Sequence, residues 1–157
     1  MLIGAIAAVA LGIIFYPLIV QTPFDPERVA IQLTGVELSS GSEGQQRLDL
    51  RVALQLTNTN EFSLTTSRIT YDLFADSVPV GSDTISYEDV PVTGRPALFT
   101  NQPVTISDTL TLQYTDEMAS IFNRILNNST DINWRTSGTA IIESGTTLQE
   151  KRFSGEL

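Results

Sequence analysis

The sequence predicts an all-β fold: an antiparallel β-sandwich of about seven strands with one short helix, preceded by an N-terminal transmembrane helix. Three observations predict it. Residues 48–57 alternate strictly between apolar and polar character. Several later stretches repeat that period of two between Gly, Pro and Asn punctuation. The first twenty residues carry no charge at all. In the first of these stretches Leu48, Leu50, Val52, Leu54 and Leu56 fall on one face, with Asp49, Arg51, Ala53 and Gln55 on the other. That is a half-buried strand, and it runs into the polar turn Asn58-Thr59-Asn60.

Taken in order, residues 1–20 read as the membrane anchor. A helix from Leu2 to Val20 would be about 28 Å long, close to the roughly 30 Å hydrocarbon core. Its Leu, Ile, Val and Phe residues sum to about −3 to −7 kcal/mol of insertion free energy. A cleaved signal peptide would need a basic n-region and a small-x-small site. Here the segment ends Tyr16-Pro17-Leu18-Ile19-Val20-Gln21 instead. Gly4, Ala8 and Gly12 lie on one stripe of this helix, where small residues let a second membrane helix approach. The expected arrangement is single-pass, with membrane lipid around residues 1–20 and an extracytoplasmic C-terminal domain. Residues 21–28, with Pro23 and Pro26, form a short stiff linker, and residues 29–157 form the domain.

Within the domain, Val29, Ile31 and Leu33 share a face. Gly35 interrupts, and Val36 with Leu38 continue in the other phase, which predicts a bulge. Residues 39–44 read as a loop. Ile69, Tyr71 and Leu73 alternate with Arg68, Thr70 and Asp72; Val78 and Val80 lead to Gly81 and a further strand through Ile85 and Tyr87. Pro91, Pro96 and Pro103 make residues 89–103 a connection or an edge. Val104, Ile106, Leu110, Leu112 and Tyr114 restart the alternation, with Asp108 breaking the apolar face. Ile132, Trp134, Ala140 and Ile142 share a phase across Gly138, and the last strand includes Leu148 and Phe153. One segment has the helical period. Thr115 or Asp116 is positioned to cap it, and Met118, Ile121, Phe122, Ile125 and Leu126 form one face before Asn127-Asn128 ends it. Such a face serves either a partner or one open end of the sandwich core, and the second use is expected.

The composition excludes much chemistry. With no cysteine and no histidine, thiolate nucleophiles, disulfides and the commonest general base and metal ligand are absent. A net charge of −9 repels phosphate backbones, so nucleic acid is not an expected partner. Lys151 is the only lysine and sits between Glu150 and Arg152. Asp72, Asp76, Asp83, Glu88 and Asp89 cluster in sequence, yet no calcium-loop spacing occurs, and they read as solvated acids. No catalytic, cofactor-binding or metal-ligating residue is assigned, and no cofactor is expected. Asn127 and Asn128 begin two overlapping glycosylation triplets, with Ser129 and Thr130 in their third positions.

The stretch Asn58-Thr59-Asn60-Glu61-Phe62-Ser63-Leu64, followed by Ser67-Arg68-Ile69-Thr70-Tyr71-Asp72-Leu73 and Val80-Gly81, resembles the type-2 late-embryogenesis-abundant family, whose module is also called the WHy domain. Asn58, Asn60, Phe62 and Gly81 carry the turn motif. The helix near three-quarters of the chain, Gly138 and the closing Phe153-Ser154-Gly155-Glu156-Leu157 also fit. The similarity covers residues 29–157. Thr59 departs from it, since the family usually has proline there, giving up a fixed φ while Asn58 and Asn60 keep their turn-forming side chains. The resemblance implies a fibronectin-III/immunoglobulin-like sandwich and a link to desiccation or osmotic stress, without catalytic residues.

The leading expectation is therefore a membrane-anchored, non-enzymatic stress-response domain that protects or binds other molecules at the cell surface. The alternatives are an accessory subunit of a membrane complex, held by a membrane-protein partner along the Gly4/Ala8/Gly12 stripe, and a pilus-type filament subunit. Pro17 and Pro23 argue against the filament.

Overall fold

A computed structural model describes residues 24–41, 46–127 and 129–157. Eight strands and one helix follow in order: β1 (Val29–Ser40), β2 (Arg47–Asn58), β3 (Leu64–Ala75), β4 (Val78–Ser86), β5 (Ala97–Leu98), β6 (Pro103–Gln113), α1 (Ala119–Leu126), β7 (Trp134–Ser144) and β8 (Thr147–Glu156). Two antiparallel sheets result. One has the order β1-β2-β6; the other runs β4-β3-β7-β8, with β5 pairing the start of β3. Among the described residues no helix is long and apolar enough to cross a membrane. The expected membrane helix over 1–20, with Gly4, Ala8 and Gly12, lies outside the described residues.

Alternation in β2 produces the first inner face: Leu48, Leu50, Val52, Leu54 and Leu56 are all buried. Ile69, Tyr71 and Leu73 of β3 with Ala140 and Ile142 of β7 supply the second. β1 bulges between Leu33 and Gly35, and after the bulge Val36 and Leu38 are half-buried against the core. The phase change at Gly35 thus corresponds to a real register shift.

Each flank of the sandwich closes where a glycine permits it. On one side, Gly155 of β8 lies against the backbone of Leu33, whose nitrogen would be 3.0 Å from an added Cβ. On the other, Gly81 of β4 packs on the Leu110 side chain of β6. Gly81 does not divide its strand: β4 is continuous from Val78 to Ser86. Gly138 has the tightest surroundings, because a Cβ there would stand 2.1 Å from the Thr70 carbonyl oxygen.

Residues 89–103 are a connection, but they contain the two-residue strand β5, which extends the β4 edge along β3. The β3–β4 hairpin turns through Asp76 and Ser77 at φ of 49° and 72°, the signature of a two-residue turn with both central residues left-handed.

The helix differs from expectation at its start. A 3-10 turn, Asp116–Met118, precedes α1, and Thr115 makes no side-chain cap hydrogen bond. The Met118 amide instead donates to the Thr115 carbonyl, 3.0 Å. This tight first turn uses the backbone for what a capping side chain would do. Ile121, Phe122 and Ile125 are buried, so α1 plugs one end of the core. Tyr114 meets the Phe122 ring edge-on, with centroids 5.3 Å apart.

Candidate binding cleft and the clamp at the opposite end

At the helix end β1 outruns β8. Gly155 lies against Leu33 near the end of β8 at Glu156, while β1 continues to Ser40, and a cleft lies there between the sheets. Its floor is Leu50 and Trp134, its sides are Val36, Leu38, Ile125 and Ile132, and its rim is Glu37, Ser129, Thr130 and Leu157. The volume is about 670 Å³. Trp134 is almost fully buried, whereas Leu157 on the lip is 53% exposed. The Leu157 amide donates to the Trp134 carbonyl, 2.9 Å, which fixes the lip to the floor. An apolar floor under a polar rim suits an aliphatic or aromatic group carrying a polar end. The one charged rim residue, Glu37, favours a neutral or cationic end over an anionic one.

The loop from α1 to β7 is held in place by Arg124. Its guanidinium pairs with Asp76 of the β3–β4 turn and with Asp131, 3.3 Å away. The Asn133 amide, donating to Asp76 Oδ1 at 2.9 Å, is the larger cause holding the Asp76 carboxyl below its ordinary value, and Arg124 adds to it. Sequence reasoning placed Asp76 among solvated acids and missed this pairing. The polar pair Asp76-Ser77 between two alternating stretches was the available signal for a tight turn.

A second concavity, about 460 Å³, lies over β7 and β8 and includes Phe74, Arg135, Ser137 and Glu156. Arg135 sits over the Phe74 ring, 5.8 Å from its centroid. Its walls are polar and it lacks the buried apolar floor of the cleft.

The Asn58-Thr59-Asn60 turn occupies the other end of the molecule. Asn58 is wholly buried and Asn60 is 3% exposed. The Asn58 Nδ2 group donates to the carbonyls of Phe62 (2.9 Å) and Leu98 (2.8 Å), and its Oδ1 accepts from the Asn60 amide (2.8 Å) and Asn60 Nδ2 (3.0 Å). Asn60 in turn grips the backbone of Asp25, accepting from its amide at 3.0 Å and donating to its carbonyl at 3.1 Å. Thr59 donates twice to the Arg28 carbonyl, from its amide (2.8 Å) and its hydroxyl (2.9 Å). A proline at this position has neither donor, so Thr59 ties residue 28 to the turn in a way a proline could not.

Phe24 is buried, its carbonyl accepts from Gln149 Nε2 at 3.2 Å, and Lys151 pairs with Glu27. Residues 24–28 are therefore fastened to the domain. Phe62 is half-buried against the core, while Gly81 lies at the far flank, so the four motif residues do not form one site.

The acids clustered in sequence do not converge either. Asp83 Oδ1 accepts from Thr84, Glu88 pairs with Arg68 at 3.3 Å, and Ser82 donates to Asp72. Among the described residues no group of three or more His, Cys, Asp or Glu could hold a metal. Asn127 is exposed at the end of α1, its side chain donating to the Asn123 carbonyl, 2.8 Å. Asn128 lies outside the described residues. Two part-buried polar pairs carried no local sequence signal for their partners. Arg95 meets Glu143 at 2.5 Å, and the Tyr71 hydroxyl donates to Asp108 Oδ2 at 3.0 Å inside the sandwich. Burial and then the Asp108 charge push the Tyr71 hydroxyl well above the ordinary tyrosine range.

No protein-family model and no curated protein matches the chain. Solved structures do. The chain is similar to a solution structure from Arabidopsis thaliana (14% identity, 81% of this chain and 79% of that one, TM-score 0.52). It is likewise similar to an X-ray structure of a structural-genomics target (9% identity, 84% and 88%, TM-score 0.51). These likenesses show the fold, a β-sandwich. A protein described as late embryogenesis abundant also aligns, at 15% identity over 99% of this chain and 82% of that one, with a TM-score of 0.41.

Proposed function

We propose that this chain is a non-enzymatic, membrane-anchored stress-response domain of the type-2 late-embryogenesis-abundant kind. It binds or protects other molecules at the cell surface through the cleft beside α1. The observation that carries this reading is the cleft itself, with its apolar Leu50 and Trp134 floor under a polar rim. The resemblance over residues 29–157 supports the stress assignment. Setting aside the two-residue β5, three strands face four, with β3 and β4 adjacent in the larger sheet, which supports the fibronectin-III-like form of the sandwich. The anchor is the apolar segment 1–20, and the domain it carries is extracytoplasmic.

Trp134 is the sole tryptophan, so its emission reports directly on the cleft. The full chain is placed in phosphatidylcholine vesicles beside a labile reporter enzyme and taken through drying and rehydration. Protection above that of empty vesicles with albumin, accompanied by a Trp134 emission shift, is the expected result. Leu157→Glu, which charges the lip, should abolish both. Protection equal to albumin sinks the stress reading, and full protection by Leu157→Glu removes the cleft from it. A fixed-ratio membrane protein co-purifying only with the intact anchor would establish the accessory-subunit alternative.

A further inference from the structure

Among the described residues, Val92, Phe99, Tyr114, Leu148 and Leu157 are large apolar side chains left in solvent. Tyr114 and Leu157 belong to the helix end. Phe99 and Leu148, 51% and 62% exposed, belong to the opposite end. The ladders establish this placement. Leu148 stands opposite Glu143, Glu143 opposite Thr65, and Thr65 opposite Ala97, so one row crosses the second sheet next to the β2–β3 turn. Phe99 lies just beyond that row, in the loop held by Asn58, whose carbonyl accepts from the Asn101 amide at 2.7 Å. Phe24 is buried at the same end, and Asp25 is gripped by Asn60. The root of the apolar N-terminal segment and these two exposed side chains therefore share one end of the sandwich.

Chain length adds the decisive constraint. Val20, the last residue of the apolar segment, is four peptide steps from the fastened Phe24, a reach of about 15 Å at most. A domain gripped this close to the lipid cannot hold its entry end far from the headgroups. We propose that this end rests on the bilayer, with Phe99 and Leu148 dipping into the interfacial layer and Tyr114, Leu157 and the cleft facing away from it. This rests on the membrane-anchored reading above. Aromatic and aliphatic side chains at the headgroup level gain from leaving water. Exposed Asp25, Glu27 and Glu61 outnumber exposed Arg28 at the same end and disfavour an anionic surface, so the lipid that fits is zwitterionic.

The absence of cysteine makes the test direct. Phe99→Cys, Leu148→Cys, Tyr114→Cys and Leu157→Cys are each introduced into the full chain, labelled with an environment-sensitive fluorophore and reconstituted in phosphatidylcholine vesicles. Flotation comes first, and then quenching by lipids carrying a shallow doxyl group. The expected result is co-flotation with labels at 99 and 148 quenched at least twofold more than those at 114 and 157. Co-flotation with equal quenching at the two ends, or more at 114 and 157, overturns the orientation and leaves the anchor standing. Failure to float overturns the anchor and the orientation together. Phe99, Leu148 and Leu157 are each more than half exposed, and Tyr114→Cys gives up only the edge-on contact with Phe122.

Discussion

Replacing Asn58 by alanine tests the clamp at the entry end. Asn58 is fully buried and its amide serves four groups: two carbonyls, Phe62 and Leu98, and two donors on Asn60. Each buried polar group left unpaired costs about 1–3 kcal/mol. If water reaches half of them, the other two give about 2–6 kcal/mol, and about 4 kcal/mol is the expected loss. For a domain of this size that lowers Tm by roughly 15 °C. Asn58→Asp has the same shape but turns an acceptor towards the two carbonyls, so it should be no milder than alanine. The assay is urea unfolding of the full chain in mild detergent, followed by Trp134 emission. Asn60→Ala and the double variant complete a cycle that should show strong coupling. A loss below about 1 kcal/mol for Asn58→Ala would refute the argument that this network holds the end together.

Four further outcomes are expected. Leu54→Asp puts a charge on the fully buried face of β2 and should unfold residues 29–157; a cooperative melt near the parent's would show the strand phase to be wrong. Gly138→Ala forces a methyl group onto the Thr70 carbonyl and should cost more than about 3 kcal/mol by urea melt. Tyr71 is raised in the folded state, so its contribution is present below pH 10 and is lost as pH climbs beyond that value. Alkaline melting should fall off less steeply in Tyr71→Phe than in the parent. Asp76 is lowered, so its contribution is present above its ordinary value of 3.8 and fades as pH drops below that value. The stability gap between parent and Asp76→Asn should accordingly close in acid, and a gap unchanged from pH 7 to pH 2 would contradict the pairing.

Much of the sandwich was legible because its strands are half-buried, and half-burial writes a period of two into the chain. The bulge at Gly35 was legible as a break in that period, and the buried face of α1 as a helical period of its own. The clamp was not read, although Asn58 continues the inward phase of Leu48 to Leu56 and so was marked as buried. Polarity suggested an exposed turn, and only the fold reveals that Phe62, Leu98 and Asn60 surround it. Asp108 likewise announced itself as an acid on an inner face, while its partner Tyr71 lies 37 residues away and cannot be paired from one sequence. The cleft was the least visible feature. It lies where β1 runs on past the end of β8, and contacts between strands distant in sequence decide that.

The gripping of residues 24–28 also has a mechanical meaning. β1 begins at the entry end and β8 finishes at the helix end, so the two ends of the domain point in opposite directions along the strands. A pull applied between the N-terminal segment and anything held at the far end loads β1 lengthwise against β2. The force must break the backbone bonds of that ladder together, as in a sheared joint, instead of opening them one by one. Thr59 and Asn60 stand at the point where such a load would enter. The domain is thus built to carry tension along β1 without paying out chain.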